Sequence, residues 1–247
     1  MTALLGIATR LKLARLIHIV PDAPDLVPVL APASYLGGAD VVMLDETLPE
    51  SYRDAASGAQ MAEIRIAARQ SQGLTGYLGR PARAAELNAD LVCLSEDRHD
   101  PKKARPALGE WTQIGRRCNS AAEIDAALAD AEVGFLLVGP GRDHLLHAAK
   151  AAPADDPASK PWFAVGGITL ASLDAVLRTG AMRVAVGGAI THASDPEGAA
   201  QAFKERLRDA WNANPKMEAV TKAAFGGDVV LELDPNTGAP KPTDLSL

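Results

Sequence analysis

Short apolar runs alternate with stretches of helical character along most of the chain, and this alternation occurs eight times. Strands that alternate with helices predict βαβ units and a parallel sheet. Eight such units within about 200 residues are typical of a (β/α)8 TIM barrel, which is the fold class we predict. An open, doubly wound sheet is the alternative, but the turn after the first run reads Pro-Asp-Ala-Pro and lacks the usual glycines. The predicted strands are residues 16–20, 41–44, 74–78, 91–94, 112–114, 135–138, 162–165 and 184–186.

Start and stop signals place helices between and after these strands. Ser120 and Glu123 form a capping box, and Asp195 before Pro196 is a typical helix start. We divide the chain into a helical lead-in at 1–13, a barrel at 14–211 and a C-terminal extension at 212–247. The extension contains one candidate strand at 229–233, and we expect the rest of it to be a mobile tail. The predicted helices are residues 25–36, 51–72, 83–88, 120–130, 142–151, 169–179 and 196–210.

Charge and cysteine content narrow the classes of partner. The formal net charge is −6, and no run of Lys or Arg exceeds two residues, so we do not expect a nucleic-acid partner. No stretch approaches the roughly 18 to 20 apolar residues that span a bilayer, so we expect no membrane partner. Cys93 and Cys118 lack a CxxC spacing, which favours reduced thiols and a cytoplasmic protein. A homodimer is left open.

Two glycine pairs follow the last two predicted strands. Gly166-Gly167 follows strand seven, and Gly187-Gly188 follows strand eight. In a (β/α)8 barrel the loops after strands seven and eight commonly bind phosphate, because exposed backbone N–H groups can approach the anion there. Tight turns between strands and helices also use glycine, so turn chemistry is the alternative interpretation. Two pairs in the last two units favour a phosphate site.

The segment WFAVGGITLASLDAVLRTGAMRVAVGGAI, at residues 162–190, resembles the C-terminal half of thiamine phosphate synthase and its relative TenI. Further matches follow in order over residues 16 to 208, at GADVVML, ADLVCL, IGRRCNS and GFLLVGP. The resemblance implies a condensation of a pyrimidine methyl pyrophosphate with a thiazole phosphate, with loss of pyrophosphate and with Mg²⁺ as a candidate cofactor. It also implies a phosphorylated small molecule as the partner, and it adds Gly139 to the phosphate-binding glycines.

The polar residues of the family pattern are mostly replaced. Residues 43–47 read MLDET in place of Q-L-R-x-K, which inverts the sign of the charge. The family pattern has an Asn-Asp pair after strand three, and the corresponding positions in this chain lie near Leu78 and Gly79, where that carboxylate is missing. Residues 93–98 read CLSEDR where the family has H-x-G-Q-x-D. After Gly139-Pro140, the T-x-T-K segment is replaced by one that begins GRDH. We therefore predict little ordinary synthase activity, unless Arg116, Arg117 and Arg142 replace the missing cations.

The replacements themselves supply candidate site residues. Clustered carboxylates after strands two and four can hold Mg²⁺ through oxygen ligands, and Arg side chains after strand five can bind phosphate bidentately. The alternative is that these charges are solvated loop residues. His18 lies within strand one, where a hydrogen-bonded core histidine is the favoured interpretation. The candidates are Asp45, Glu46, Glu96 and Asp97 for the metal, Arg116 and Arg117 for phosphate, and Cys93 and Asn119 for catalysis.

Three functions are consistent with this sequence. The first is a thiamine phosphate synthase-like transferase, or a TenI-like isomerase, with altered substrate handling. The second is a non-catalytic barrel that binds a phosphorylated ligand or a protein. The third is another phosphate-binding barrel enzyme, which would need a Lys or Glu acid/base at the end of strand one or two. The chain offers Asp22, Asp45 and Glu46 at those ends and no Lys, so the third ranks last.

Overall fold

Eight parallel strands form a closed barrel in which each strand pairs with its neighbours in chain order, and β1 pairs with β8. This computed structural model describes residues 6–47, 57–94 and 99–225. The predicted (β/α)8 barrel is confirmed. The strands are β1 (Leu16–Pro21), β2 (Val41–Asp45), β3 (Leu74–Gly79), β4 (Leu91–Leu94), β5 (Gln113–Cys118), β6 (Val133–Val138), β7 (Trp162–Val165) and β8 (Val184–Val186).

Helices surround the barrel, and several begin at the predicted caps. The Ser120 side chain accepts from the Glu123 amide, and the Asp195 side chain accepts from the Gly198 amide. The helices are α1 (Ile7–Leu13), α2 (Val27–Leu36), α3 (Ser57–Ser71), α4 (Pro81–Leu87), α5 (Pro101–Leu108), α6 (Ala121–Ala129), α7 (Arg142–Ala151), α8 (Leu170–Leu177), α9 (Gly188–Thr191), α10 (Pro196–Ala213) and α11 (Met217–Ala224). None of the helices in the described ranges is long and apolar enough to cross a membrane.

Three helices of the structure were not predicted, and two strands extend two residues or more beyond their predicted bounds. The unpredicted helices are α5, α9 and α11. Strand five, predicted at residues 112–114, continues as β5 to Cys118, and strand six, predicted at residues 135–138, begins as β6 at Val133. The candidate strand at 229–233 and the first part of the helix predicted at 51–72 lie outside the described residues.

Alternate residues of each strand face the barrel interior or the helices. The interior layer contains Met43, Cys93 and Phe135, and Leu11 of α1 packs into the same cluster. Because α1 precedes β1, it closes the end of the barrel where the strands begin. The opposite end, where the strands finish, is therefore the open mouth, and this is where barrel enzymes carry their sites.

Candidate functional site

Asp45 ends β2 and lies at the mouth. It continues the inward-facing series of Val41 and Met43, and it is 9% exposed. Its Oδ1 accepts hydrogen bonds from the Thr47 amide at 2.8 Å and the Thr47 hydroxyl at 2.6 Å. Burial raises the pKa of Asp45, although these hydrogen bonds and the positive charge of Arg117 oppose the shift. The mouth at β2 is thus lined by a carboxyl group with a raised pKa.

Glu46 points away from the barrel axis. Its carboxylate accepts hydrogen bonds from the Tyr77 hydroxyl and, at 2.8 Å, from the Arg80 guanidinium. Tyr77 belongs to the layer between the sheet and the helices, so Glu46 lies on the outer side of the sheet. Burial alone would raise the pKa of Glu46, but the hydrogen bonds from Arg80 and Tyr77 outweigh it and lower the pKa. Glu46 is therefore already paired and does not share a site with Asp45.

The predicted magnesium ligands are not assembled by the residues that the structure describes. Within those ranges, no three His, Cys, Asp or Glu side chains are grouped as a metal site. Asp45 stands at the mouth without Glu46, and Glu96 and Asp97 lie outside the described residues. Asp45 also has one oxygen engaged by Thr47. These residues alone do not fit Mg²⁺, which takes several oxygen ligands in octahedral geometry.

The two catalytic candidates have different surroundings. Cys93 lies in the interior layer and is fully buried, and burial raises the pKa of its thiol. A protonated, enclosed thiol is a poor nucleophile, so the structure gives no support to a covalent role for Cys93. Asn119 directly follows β5 and is exposed, and its backbone amide donates to the Glu123 carboxylate. Asn119 thus stands at the mouth end of the barrel.

Arg116 and Arg117 lie on opposite faces of β5. Gly115 faces the interior, where an added Cβ would meet the Phe135 ring, and Arg117 continues that face toward the mouth. Arg117 is close enough to Asp45 to lower the pKa of that carboxyl. Both residues contribute to the lining of a cavity of about 230 Å³ between β5 and α6, which Glu123 also lines. By the alternation of the strand, Arg117 is the one of the pair whose side chain continues the inward face toward the mouth.

The loop after β7 presents open backbone amides. Gly166 and Gly167 have φ values of +112° and +62°, a region that favours glycine. An added Cβ at Gly167 would meet nothing within 4 Å. Neither amide donates a hydrogen bond to any acceptor in the described parts of the chain. The loop therefore offers two backbone donors to a ligand.

The loop after β8 is held in place by a hydrogen bond between His18 and Thr191. Gly188 begins the short helix α9, so its amide has no acceptor within that helix. Gly187 precedes it, and an added Cβ there would lie 3.5 Å from the Ile19 carbonyl oxygen. At the end of α9, the Thr191 hydroxyl is 3.0 Å from the ring Nε2 of His18, a side chain of β1 that is fully buried. This bond ties the second glycine loop to the barrel.

Gly139 has a packing role that is not predictable from the sequence. A Cβ at this position would lie within the contact radius of the Val165 carbonyl oxygen. The absence of a side chain at Gly139 is thus what lets the loop after β6 approach the end of β7.

A cavity of about 270 Å³ joins the first glycine loop to helices α7 and α8. Arg142, at the start of α7, lines this cavity with Gly166 and Gly167. Arg142 is exposed, and its guanidinium has no hydrogen bond or ion pair to any residue within the described ranges. A cation and two open amides therefore share one cavity. From the sequence, Arg142 is predictable only as a replacement cation, because its proximity to Gly166 depends on the closed barrel.

Comparison with known proteins agrees with this architecture. Residues 17–190 match the profile of the thiamine monophosphate synthase family. A thiamine-phosphate synthase from Thermobifida fusca is 36% identical over 218 residues, which cover 80% of this chain and 94% of that protein. One from Streptomyces avermitilis is 33% identical over 186 residues, covering 72% of this chain and 85% of that protein.

The structure of a thiamine phosphate pyrophosphorylase from Pyrococcus furiosus superposes with a TM-score of 0.67. It shares 21% sequence identity and covers 81% of this chain and 98% of its own, which indicates a common fold. The family profile spans the segment from β1 to α9 and so includes both glycine loops and the whole barrel mouth. The chain belongs to the thiamine monophosphate synthase family.

Proposed function

We propose that this protein binds a phosphorylated small molecule of thiamine biosynthesis at the mouth of the barrel. The amides of Gly166, Gly167 and Gly188 would donate to the phosphate, and Arg142 would supply a positive charge beside the first loop. The observation that carries the proposal is that two backbone amides and a guanidinium, none of which has a partner among the described residues, line one cavity. Hydrogen bonds to a charged acceptor are about twice as strong as neutral ones, so this set suits a phosphate dianion.

We further propose that the ordinary synthase reaction is slow in this protein. Displacement of pyrophosphate builds negative charge on the leaving group, and fixed cations must stabilise that charge. The side chain that β2 presents to the mouth is Asp45, which carries the wrong sign for this task. Arg117 faces Asp45, and the Arg80 charge is engaged by Glu46. These pairings reduce the positive field available to a pyrophosphate.

Gly188→Asp, compared with Gly188→Ala, tests the binding proposal. The nearest atom to an added Cβ at Gly188 is Cδ2 of His192 at 3.3 Å, so the chain accommodates both substitutions with a small shift. The aspartate adds a like charge beside the phosphate, whereas the alanine adds only a methyl group. We expect thiazole phosphate to bind Gly188→Asp about 10- to 100-fold more weakly than Gly188→Ala, as measured by titration calorimetry. Equal affinities in the two variants would refute the site.

Arg142→Ala provides the second arm of the same experiment. Loss of the cation beside the first glycine loop should weaken the binding of thiazole phosphate and the binding of inorganic phosphate, and the factor should be similar for the two ligands. An unchanged affinity would remove Arg142 from the proposed site. If phosphate esters bind as expected and no turnover of any thiamine precursor is found, the non-catalytic barrel of the sequence analysis becomes the better description.

A further inference from the structure

The carboxylate of Asp45 has one engaged oxygen and one open oxygen. Oδ1 accepts both hydrogen bonds from Thr47, at 2.8 and 2.6 Å, which fixes the orientation of the carboxylate. Oδ2 has no hydrogen-bond or ion-pair partner in the described parts of the chain. The residue is nevertheless only 9% exposed. A carboxylate oxygen this deeply buried ordinarily accepts from a donor, because burial without one carries the full desolvation penalty.

The open oxygen is accessible from the lumen of the barrel. Among the described residues, the unpartnered amide of Gln60 is inaccessible to solvent, whereas Oδ2 of Asp45 is not. Asp45 continues the inward-facing series of β2, so the accessible side of its carboxylate is the lumen side of the mouth. Asp45 therefore presents an acceptor to a molecule that occupies the mouth.

This acceptor stands two strands away from the second glycine loop. Asp45 is the register partner of Pro21 on β1. His18, three residues earlier on that strand, is the partner of Val186 on β8. Gly188 lies two residues beyond Val186, so it stands within one residue of the level of Asp45. Neighbouring strands lie about 4.8 Å apart, which puts the Cα atoms of Asp45 and Gly188 on the order of 10 Å from each other. One small molecule can span that distance.

Arg117 faces Asp45 without contacting it. Its charge acts on the Asp45 carboxyl, but the two described side chains form no ion pair with each other. Arg117 is exposed, and an exposed arginine keeps its guanidinium in water, where salt screens it. The field at Oδ2 is therefore that of a carboxylate, which favours a donor group and disfavours a phosphate.

We propose that Asp45 selects the far end of the ligand, so that the mouth takes a phosphate monoester with an amine opposite its phosphate. This inference rests on the proposed function, because the loops of Gly166 and Gly188 hold the phosphate. Oδ2 of Asp45 accepts a hydrogen bond from the amine, and the charged acceptor makes this bond stronger than a neutral one. A ligand with a second phosphate at this end meets a like charge instead.

Two pairs of ligands test the inference. Aminobutyl phosphate is compared with butyl phosphate, and aminohexyl phosphate is compared with hexyl phosphate. The members of each pair differ in the terminal nitrogen, and the two chain lengths cover the span between the glycine loop and Asp45. Equilibrium titrations followed by NMR at about pH 8 keep the phosphate mostly dianionic. We expect at least one amine to bind the wild-type protein about tenfold more tightly than its alkyl partner.

Asp45→Asn removes the acceptor and keeps the shape of the side chain. The amide oxygen can still accept from Thr47, while an NH₂ group replaces Oδ2. The preference for the amine should vanish, and the alkyl phosphates should bind as tightly as before or more tightly. Glu46→Gln is the matched control, because it removes the same charge from the adjacent residue. The Glu46 carboxylate is bound by Tyr77 and Arg80 on the outer side of the sheet, so this variant should retain the preference.

The outcomes separate this inference from the proposed function. Alkyl phosphates that bind the wild-type protein, and bind Gly188→Asp more weakly, support the phosphate site by themselves. If they do so and neither amine binds more tightly, Asp45 does not contact the ligand and the inference is overturned. A preference that survives Asp45→Asn, or that Glu46→Gln abolishes equally, also overturns it. If none of these esters binds, the proposed function and this inference are overturned together.

Discussion

At the scale of single residues, His18 shows how the hydrogen-bond network sets a protonation state. The Ser34 hydroxyl donates to the Leu30 carbonyl at 2.5 Å, so it can only accept from Nδ1 of His18, 2.6 Å away. Nε2 then accepts from the Thr191 hydroxyl. The ring is therefore neutral with its proton on Nδ1, and burial lowers the pKa of His18 to about 3. The sequence-based interpretation of His18 as a hydrogen-bonded core histidine is confirmed.

This network predicts a pH dependence of stability. Below pH 6.5 the unfolded chain protonates His18, while the folded protein does not until pH approaches 3. The free energy of unfolding should therefore fall as the pH drops through this window, by about 1 kcal/mol between pH 7 and 5.5 from this group. His18→Gln, which keeps a donor and an acceptor, should lose that component. Urea titrations of both proteins at the two pH values measure it, and parallel losses would contradict the assignment.

Residue contacts across the chain explain what the sequence could not predict about the site. Glu46 and Asp45 are adjacent in sequence, which suggested one metal site. The structure instead pairs Glu46 with Tyr77 and Arg80, 31 and 34 positions away. No local pattern carries that information. The glycine pairs were visible because their conformation is a local requirement of each turn.

At the scale of elements, seven of the eight strands were predictable because each contains a short apolar run, whereas strand five, TQI, was predictable only from its position in the alternation. The prediction for strand five ended too early because the second half of β5 contains Arg116 and Arg117. A buried parallel strand is normally a continuous apolar run, so these charges suggested that the strand had ended. At the end of the strand these side chains reach the mouth or the cavity beside α6, so the charges do not interrupt the sheet.

Two missed helices had weak but readable signals. In α5 the buried residues Pro101, Ala104 and Leu108 recur at helical spacing, and the Asp100 side chain caps the first turn. Two prolines and two lysines within eight residues hid this pattern. In α11, Met217, Val220 and Ala224 have the same spacing, in a region that the sequence analysis took as a tail.

The interior layer predicts a coupling between β5 and β6. A Cβ on Gly115 would overlap the Phe135 ring, which in turn meets Phe163 edge-on with ring centroids 6.5 Å apart. We expect Gly115→Ala to destabilise the barrel by about 1–3 kcal/mol. Adding Phe135→Leu should recover part of this loss, because the smaller side chain leaves room for the methyl group.

Denaturant unfolding measures this cycle. Gly58→Ala is the control, since an added Cβ there meets nothing within 4 Å. It should leave the free energy of unfolding unchanged or slightly higher. Additive effects of the two core substitutions would show that Gly115 and Phe135 do not share one packing site.

At the scale of the whole molecule, the two ends of the barrel differ in what their side chains do. At the base, the Arg15 and Arg183 guanidinium carbons lie 5.1 and 5.0 Å from the centroid of the Trp211 ring, which fastens α10 to the barrel. Asp40 binds Lys204 at 2.5 Å in the same region. At the mouth, by contrast, the amides of the glycine loops and the Arg142 guanidinium remain without protein partners in the described residues. The side chains at the base thus stabilise the fold, whereas the polar groups at the mouth can contact a ligand.

In our proposal, this mouth keeps the phosphate loops of its family but lacks the positive charge that stabilises the departing pyrophosphate. The most direct measurement is the rate of thiamine phosphate formation from the pyrimidine methyl pyrophosphate and the thiazole phosphate with Mg²⁺. The Thermobifida fusca synthase, assayed beside it, provides the reference. Because the loss of one fixed donor typically costs about 10²–10³ in rate, we predict a kcat/KM at least about 100-fold below the reference. A value within about tenfold of the reference would contradict the claim.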